Sequence, residues 1–165
     1  MDVAGRVVLI TGASSGVGAA LATKLAEMGA RVVVNYSRSV EAAEAVVSHI
    51  SDAGGHALAV QADVSEEADC KRLVATTVEH FGQLDVLVNN AGTTTFVPHD
   101  QLDALTEDIW LRTLRVNLVG AFMMSREVAH HIEAAGGGEI VMTSSIASTT
   151  ANGSSIAYCA SKAGM

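Results

Sequence analysis

Short apolar runs alternate along the chain with longer segments of helical periodicity. Five runs rich in valine, leucine and isoleucine have the length of strands and end at glycine or polar residues. They cover residues 6–10, 31–34, 56–60, 84–88 and 139–143. Because these runs are nearly continuous in apolar residues, we expect a parallel sheet whose two faces are both covered by helices.

The segments between the runs repeat apolar residues every three or four positions and are predicted helices. Their ranges are 16–28, with Gly29 as a left-handed cap; 40–50, with Val40, Ala43, Val47 and Ile50 on one face; 65–81; and about 106–135. Ser65, followed by two glutamates, predicts a hydroxyl cap and early carboxylates at the third helix. Right-handed strand–helix–strand crossovers then predict a doubly wound α/β sheet.

Composition and charge narrow the functional classes. The 165 residues are 49% apolar and 17% charged, as expected for one folded domain, residues 1–165. The net charge of −8 disfavours binding to nucleic acid or to an anionic membrane. No apolar run is long enough to cross a bilayer, and the first residues lack the layout of a signal peptide. We therefore expect a cytoplasmic protein.

The metal-binding residue types do not form a recognisable ligand set. The two cysteines, Cys70 and Cys159, are too few for a disulfide framework or a metal cluster, so we expect reduced thiols. His130 and His131 are adjacent on a predicted helix and point in different directions. The other histidines lack ligand spacing, and we expect no metal.

A glycine-rich turn, Thr11-Gly12-Ala13-Ser14-Ser15-Gly16-Val17-Gly18, joins the first strand to the first helix. Glycines allow a pyrophosphate to approach the backbone, and the start of a helix offers free N–H groups. Such a turn is often only a tight connection. Its position after the first strand favours phosphate binding.

Tyr158 and Lys162 lie four residues apart and would share one face of a helix. A lysine ammonium near a phenol favours the phenolate, which makes tyrosine a usable proton donor and acceptor. A surface pair without function is the ordinary alternative. Ser145, thirteen residues upstream at a strand end, favours the catalytic interpretation.

Together these motifs resemble the short-chain dehydrogenase/reductase family, and within it the 3-oxoacyl-carrier-protein reductases and related ketoreductases. The resemblance spans the whole chain. It rests on the Thr-Gly-x3-Gly-x-Gly turn and, in order, on Asp63-Val64, Asn89-Asn90-Ala91-Gly92, Asn117, Ser145 and Tyr158-x3-Lys162. It implies a Rossmann-type fold and transfer of hydride between a nicotinamide cofactor and a small-molecule carbonyl or secondary alcohol.

The resemblance implies four catalytic residues. Tyr158 would be the general acid and base for the substrate oxygen, and Ser145 would hydrogen-bond the same oxygen. Lys162 would contact the nicotinamide ribose and tune Tyr158, while Asn117 would hold a water that links Lys162 to solvent. Ser144 is the alternative to Ser145, and only the thirteen-residue spacing separates the two.

The resemblance also implies a set of cofactor-binding residues. Asp63 would accept from the adenine amino group, although an aspartate bonded to the approach of the next helix is nearly as good an interpretation. Asn90 could line the cofactor and also brace strand ends. The full set is Gly12, Ser14, Ser15, Gly16, Val17, Gly18, Asn35, Ser37, Arg38, Asp63, Val64, Asn90, Ala91, Gly92, Tyr158 and Lys162.

The end of the second strand predicts NADP(H), with NAD(H) as the alternative. Dinucleotide sites for NAD place an acid there for the ribose 2′-hydroxyl, whereas a 2′-phosphate requires a cation. Residues 35–39 read Asn-Tyr-Ser-Arg-Ser, with no acid before Glu41. Arg38 and the neighbouring small polar groups resemble a phosphate seat. Ser15 lacks the basic side chain that many NADP-preferring members carry.

Members of the family continue well beyond the Tyr-x3-Lys motif, whereas this chain ends at Met165. We therefore expect a Rossmann domain that lacks the last strands, with the fifth strand at an open sheet edge. The resemblance implies a homo-oligomer for the complete protein, because in the family the long helix helps to build the dimer interface. A nucleotide-binding or scaffold module that is catalytically incomplete is the alternative function.

Overall fold

A computed structural model of the chain describes residues 3–165. They form one five-stranded parallel sheet with the strand order β3-β2-β1-β4-β5. The strands are β1 (Val7–Ile10), β2 (Arg31–Tyr36), β3 (His56–Gln61), β4 (Val86–Asn89) and β5 (Glu139–Met142). The predicted doubly wound α/β fold is confirmed.

Helices connect the strands at every crossover. They are α1 (Gly16–Glu27), α2 (Val40–Asp52), α3 (Glu67–Phe81), α4 (Glu107–Leu114), α5 (Gly120–Ala134), α6 (Ala147–Thr150) and α7 (Ile156–Gly164). A short 3₁₀ turn covers Leu102–Ala104, and a π-helical stretch over Arg115–Val119 joins α4 to α5. The predicted helices are confirmed to within a few residues, whereas α6 and the π-helical stretch were not predicted.

Two hydrophobic cores cover the two faces of the sheet. Alternate β1 residues point to opposite sides, so Val7 and Leu9 belong to one core and Val8 and Ile10 to the other. The first core packs against α3 and α5, and the second against α1 and α2. This arrangement explains why the central strands are apolar at nearly every position.

Small residues, and not the largest apolar ones, form the buried face of α1. Gly18, Ala22 and Ala26 are buried, whereas Val17 is 70% exposed and Met28 50% exposed. The predicted helix is confirmed, and Gly29 has the predicted left-handed conformation with a φ of 88°. The exposed valine lies where the helix begins, at the carboxyl edge of the sheet.

The predicted hydroxyl cap at Ser65 is wrong. Helix α3 begins at Glu67 after Glu66, and no side chain caps it. The Ser65 hydroxyl instead donates to Asp63 Oδ1 at 2.7 Å, because the preceding loop turns back on itself. Of the two predicted early carboxylates, Glu67 lies in the first turn together with Asp69, whereas Glu66 precedes the helix.

The fifth strand lies at an open edge, as expected. All four β5 residues are exposed, although Ile140, Val141 and Met142 are apolar. Both cysteines in the described part of the chain are buried free thiols. Within residues 3–165, no helix is long and apolar enough to cross a membrane.

Candidate active site

The glycine turn is packed too tightly for larger residues at two positions. Gly12 has a φ of 62°, and a Cβ added to it would lie 2.9 Å from Ala91 Cα. A Cβ on Gly18 would lie 2.6 Å from the Asn90 amide nitrogen and 2.7 Å from the Gly12 carbonyl. These glycines hold the turn after β1 directly against the turn after β4.

Hydrogen bonds lock the same two turns together. The Thr11 hydroxyl accepts from the backbone N–H groups of Asn90 and Ala91, both at 3.0 Å. The Asn90 side chain donates to the carbonyls of Thr11 and Gly12 at 2.9 and 3.1 Å. The bracing role of Asn90 is confirmed. The role of Thr11 in joining the two turns was not predicted, because its partners lie some eighty positions away in sequence.

Asn35 braces the strand ends from within the protein. It is 1% exposed; its Oδ1 accepts from the Gly12 N–H, and its amide donates to the Val60 and Ala62 carbonyls. The residue lies in the wall of the nucleotide cavity described next, but its side-chain atoms are engaged with the protein. Asn35 therefore holds the glycine turn in place, and a direct contact with the cofactor stays a prediction.

A cavity of about 540 Å³ opens along the carboxyl ends of β1 to β4, and we call it the nucleotide cavity. Of the predicted cofactor residues outside the Tyr–Lys pair, all but Gly16, Val17 and Gly18 line it. Among its described lining residues, Arg38 and Arg112 carry positive charge and Asp63 carries negative charge. Its lining residues are Gly12, Ser14, Ser15, Asn35, Tyr36, Ser37, Arg38, Ser39, Ala62, Asp63, Val64, Ser65, Asn90, Ala91, Gly92, Thr93, Arg112 and Val116.

Asp63 makes the helix-approach bonds that the sequence offered as one alternative, and its contact with adenine stays a prediction. Its Oδ1 accepts from both the N–H and the hydroxyl of Ser65, at 2.9 and 2.7 Å, while no described residue donates to Oδ2. Its own N–H donates to Asp69, and this bond, helped by Arg72, lowers the pKa of the Asp69 carboxyl. The loop after β3 is thus ordered by its own polar groups, and one carboxylate oxygen stays available to a ligand.

A second cavity, of about 470 Å³, adjoins the first, and we call it the catalytic cavity. The two cavities share Asn90, Gly92 and Thr93 as lining residues. The other residues of the catalytic cavity are mostly hydroxyl-bearing or small. They are Thr94, Thr143, Ser144, Ser145, Ile146, Ala147, Asn152, Gly153, Ser154, Tyr158 and Lys162.

Helix α7 places Tyr158 and Lys162 on one face, as predicted. The Lys162 Nζ lies 5.9 Å from the centroid of the Tyr158 ring and donates to the Thr143 carbonyl at 2.6 Å. Lys162 is 4% exposed, and this burial lowers the pKa of its ammonium group. The helix begins after Ser155, whose hydroxyl accepts from the Tyr158 N–H.

Ser144 and Ser145 both line the catalytic cavity but differ in their hydrogen bonds. The Ser144 hydroxyl donates to the Lys162 carbonyl at 3.2 Å. The Ser145 hydroxyl accepts from the Ala147 N–H at 3.2 Å, and no residue among 3–165 accepts its hydrogen, which could therefore be donated to a ligand oxygen. This difference supports the choice that the sequence spacing favours.

Asn117 lies in the π-helical stretch and is completely buried. Its Oδ1 accepts from the Thr93 N–H at 2.7 Å, and its amide donates to the Thr93 carbonyl and the Ser161 hydroxyl at 3.0 and 2.9 Å. Ser161 in turn donates to the Tyr158 carbonyl at 2.7 Å. The asparagine side chain therefore ties α7 to the loop after β4. The part of Ser161 was not predicted.

Two loops that wall the catalytic cavity are also joined directly. The Thr94 and Ser154 hydroxyls are hydrogen-bonded at 2.9 Å, and His99 Nε2 lies 2.8 Å from the Ser154 carbonyl. These contacts hold the loop after β4 against the loop that precedes α7.

The residues of the two cavities fit a dinucleotide. The glycine turn provides a backbone cradle that a Cβ at Gly12 or Gly18 would fill, and it lies at the N-terminus of α1. Tyr158 and Lys162 face the adjoining cavity, where the nicotinamide end would come to lie. In the described residues, no three histidine, cysteine or carboxylate side chains gather as a metal centre requires. The expectation of no metal stays a prediction.

Comparisons with known proteins agree with this fold and site. The family model described as short chain dehydrogenase matches residues 6–165. The chain is 48% identical over 158 residues to a Streptomyces violaceoruber protein named as putative ketoacyl reductase 2 of the granaticin polyketide synthase. The alignment covers 96% of this chain and 62% of that relative. It is also 46% identical over 141 residues to versicolorin reductase 1 of Aspergillus parasiticus, in an alignment that covers 86% of this chain and 52% of that relative.

A solved structure with bound cofactor is also similar. The short-chain dehydrogenase of Burkholderia cenocepacia in complex with NADP superposes with a TM-score of 0.88 at 39% identity, over 99% of this chain and 65% of that one. The chain thus spans between half and two thirds of the length of these proteins. The fold, the order of the motifs and the match to the family model all agree. The chain therefore belongs to the short-chain dehydrogenase family.

Proposed function

We propose that this chain forms the cofactor-binding and catalytic part of an NADP-dependent reductase that acts on a carbonyl or secondary alcohol. The observation that carries the proposal is the single cavity wall formed by Ser145, Tyr158 and Lys162, next to the nucleotide cavity. The catalytic machinery and the cofactor cradle then meet at Asn90, Gly92 and Thr93.

The proposed reaction uses the protein side chains to position one oxygen and move one proton. The Ser145 hydroxyl donates to the substrate oxygen, and the Tyr158 phenol transfers its proton to the same oxygen as the carbonyl is reduced. A nicotinamide cofactor held in the adjoining cavity would supply the hydride for the carbonyl carbon. The Lys162 ammonium, 5.9 Å from the tyrosine ring, stabilises the phenolate that remains.

Asn117 acts on this site through its neighbours. Its side chain uses its hydrogen bonds on Thr93 and Ser161, so in this proposal it fixes the position of α7. The water that the family resemblance implies at Asn117 stays a prediction.

Several features support NADP(H) over NAD(H). Arg38 is exposed at the cavity, and Ser14, Ser37 and Ser39 line the same cavity. No acid follows β2 before Glu41, so a 2′-phosphate would meet a cation and hydroxyl groups. A similar structure contains NADP.

The lining of the catalytic cavity supports a neutral ketone that carries further oxygen atoms. Hydroxyl and amide groups dominate its wall, and Lys162 is its charged residue among those described. Similar proteins are named as a polyketide ketoacyl reductase and a versicolorin reductase. We propose substrates of the 3-oxoacyl or related polyketide type.

We further propose a homo-oligomer and a cytoplasmic location for the complete protein. Met123 and Met124 are core residues, but Leu111, Val119 and Phe122 are exposed along α4, the π-helical stretch and α5. An apolar helical surface of this kind suits contact with a second copy. The cytoplasmic location rests on the sequence, through its composition and its short apolar runs.

Replacing Tyr158 with phenylalanine tests the catalytic proposal. Loss of the phenolic proton donor is expected to reduce NADPH-dependent ketone turnover by about 10²- to 10⁴-fold. Because the ring and its neighbours stay in place, the Kd for NADPH should change little. The measurements are turnover with a panel of 3-oxoacyl thioesters and hydroxylated aromatic ketones, and NADPH fluorescence titration.

The same two measurements separate the competing functions. Parental turnover in the Tyr158→Phe variant would overturn the catalytic assignment. NADPH binding without turnover by the parent chain would favour the alternative, a nucleotide-binding module. A parental preference for NADH would overturn the cofactor assignment only.

A further inference from the structure

The wall of the nucleotide cavity contains a positively charged side chain that has no role in the proposed function. Arg112 lies on α4 and lines the cavity together with Val116. Its side chain is exposed, and within residues 3–165 no carboxylate lies within ion-pairing distance of it, although Asp108 precedes it by one helical turn. Arg112 is therefore available to a ligand in the cavity.

Nearby contacts hold this stretch of helix beside the loop after β3. The Arg115 Nε donates to the Ser65 carbonyl at 3.0 Å, one turn beyond Arg112. Further along, Gly120 packs so closely that an added Cβ would lie 2.8 Å from the Val64 carbonyl oxygen. Arg112 thus belongs to the wall that includes Val64, which is where the adenine would bind.

This wall offers what a purine base requires. Val64 and Val116 provide apolar surface, and Asp63 Oδ2 provides an acceptor for an amino group. An arginine guanidinium is planar and weakly hydrated, so it stacks well on an aromatic face. Cation and base together would close the outer side of the cavity.

We propose that Arg112 stacks on the adenine of the bound dinucleotide. The two cavity arginines then differ in what they recognise: Arg38 binds the 2′-phosphate that only NADP(H) carries, whereas Arg112 binds the base common to both cofactors. This inference rests on the proposed function and adds to it a residue that determines affinity without determining cofactor choice.

The test is a set of dissociation constants for NADPH and NADH, measured by the fluorescence of the reduced nicotinamide. Arg112→Ala is expected to weaken both cofactors equally, by about three- to tenfold. Arg112→Lys should lose nearly as much, because lysine keeps the charge but not the plane. Arg38→Ala should weaken NADPH by roughly ten- to a hundredfold and leave NADH unchanged.

Arg126→Ala is the matched control for the loss of one positive charge. Arg126 is exposed on α5, pairs with Glu67 and Glu127, and lies outside both cavities. Its replacement should leave both dissociation constants at the parental values. Circular dichroism of each variant checks that the fold is retained.

Three results would overturn the inference while the parent still binds both cofactors. Parental affinities in Arg112→Ala would mean that the side chain does not contact the ligand. A loss confined to NADPH would place Arg112 at the 2′-phosphate, and full retention of affinity in Arg112→Lys would indicate a point charge on a phosphate. A parent that binds neither cofactor would overturn the proposed function as well.

Discussion

Two parts of the molecule, named for the roles proposed for them, are held together in different ways: the nucleotide-binding half, residues 3–92, and the catalytic half, residues 93–165. In the first half, β1 and β4 are buried at every position, and Thr11, Asn35 and Asn90 bond turn to turn at the carboxyl edge of the sheet. In the second half, β5 is exposed at every position.

In the catalytic half, α5 packs into the first core, and a few polar contacts join the segments around α7. Asn117 bonds to Thr93 and Ser161, Lys162 bonds to Thr143, and His99 contacts Ser154. The cofactor cradle is thus braced by several hydrogen bonds between its own turns, whereas α7, whose Ala157 and Cys159 are buried by packing, is joined to each neighbouring segment by single hydrogen bonds. Loss of one such bond should therefore affect α7 far more than it affects the cradle.

The substitution expected to destabilise the nucleotide-binding half most is the addition of one carbon at Gly12. Gly12→Ala combines an unfavourable positive φ with a contact of 2.9 Å to the Ala91 backbone. We expect it to lower the free energy of unfolding by about 2–4 kcal/mol and to weaken NADPH binding. Chemical denaturation and fluorescence titration measure the two effects.

Gly54→Ala separates crowding from backbone strain. Gly54 has a φ of 82°, but an added Cβ there would meet no atom within 4 Å. It should cost only about 1 kcal/mol, the penalty of the conformation alone. Equal destabilisation in the two variants would mean that the turns after β1 and β4 are less tightly packed than the structure indicates.

A smaller change tests how α7 is positioned. Ser161→Ala removes the acceptor of the Asn117 amide and the donor to the Tyr158 carbonyl. We expect a loss of about 1–2 kcal/mol in the free energy of unfolding, because a buried amide hydrogen is left without a partner. Hydrogen exchange should speed up in α7 and stay at parental rates in β1 and β4.

Ser48→Ala, on the exposed surface of α2, is the matched control and should change stability by less than about 0.5 kcal/mol. If Ser161→Ala loosened the whole chain uniformly, the two halves would be a single cooperative unit. The comparison drawn above would then be wrong.

The smallest expected effect is the pH dependence that Lys162 confers. Its pKa in the folded chain is lowered by burial below the ordinary value of 10.5. Between the lowered pKa and 10.5 the unfolded chain binds more protons, so this group makes the folded state more stable as the pH rises through that window. Lys162→Met should remove this rise in a series of thermal unfolding curves.

The same substitution at Lys24, which is exposed on α1, provides the control. If Lys162→Met and the parent show the same pH dependence across that window, the ammonium group of Lys162 is as well solvated as an exposed one. The catalytic half would then be more open around α7 than the structure shows.

Local patterns predicted much of this molecule. The strand–helix alternation, the glycine turn and the pairing of Tyr158 with Lys162 could be identified from the sequence because each depends on neighbours within one element or one turn. The same reasoning failed where a loop made its own contacts, as at Ser65, whose hydroxyl bonds Asp63 instead of capping α3.

What the tertiary structure decided is which distant residues meet. Thr11 bonds residues almost eighty positions away, Asn117 bonds Ser161 across 44 positions, and Arg112 reaches the nucleotide cavity only because α4 lies beside the loop after β3. No periodicity or motif encodes such pairs, because they depend on how helices pack on the sheet. Sequence by itself determined the elements and the chemical groups, and packing determined their partners.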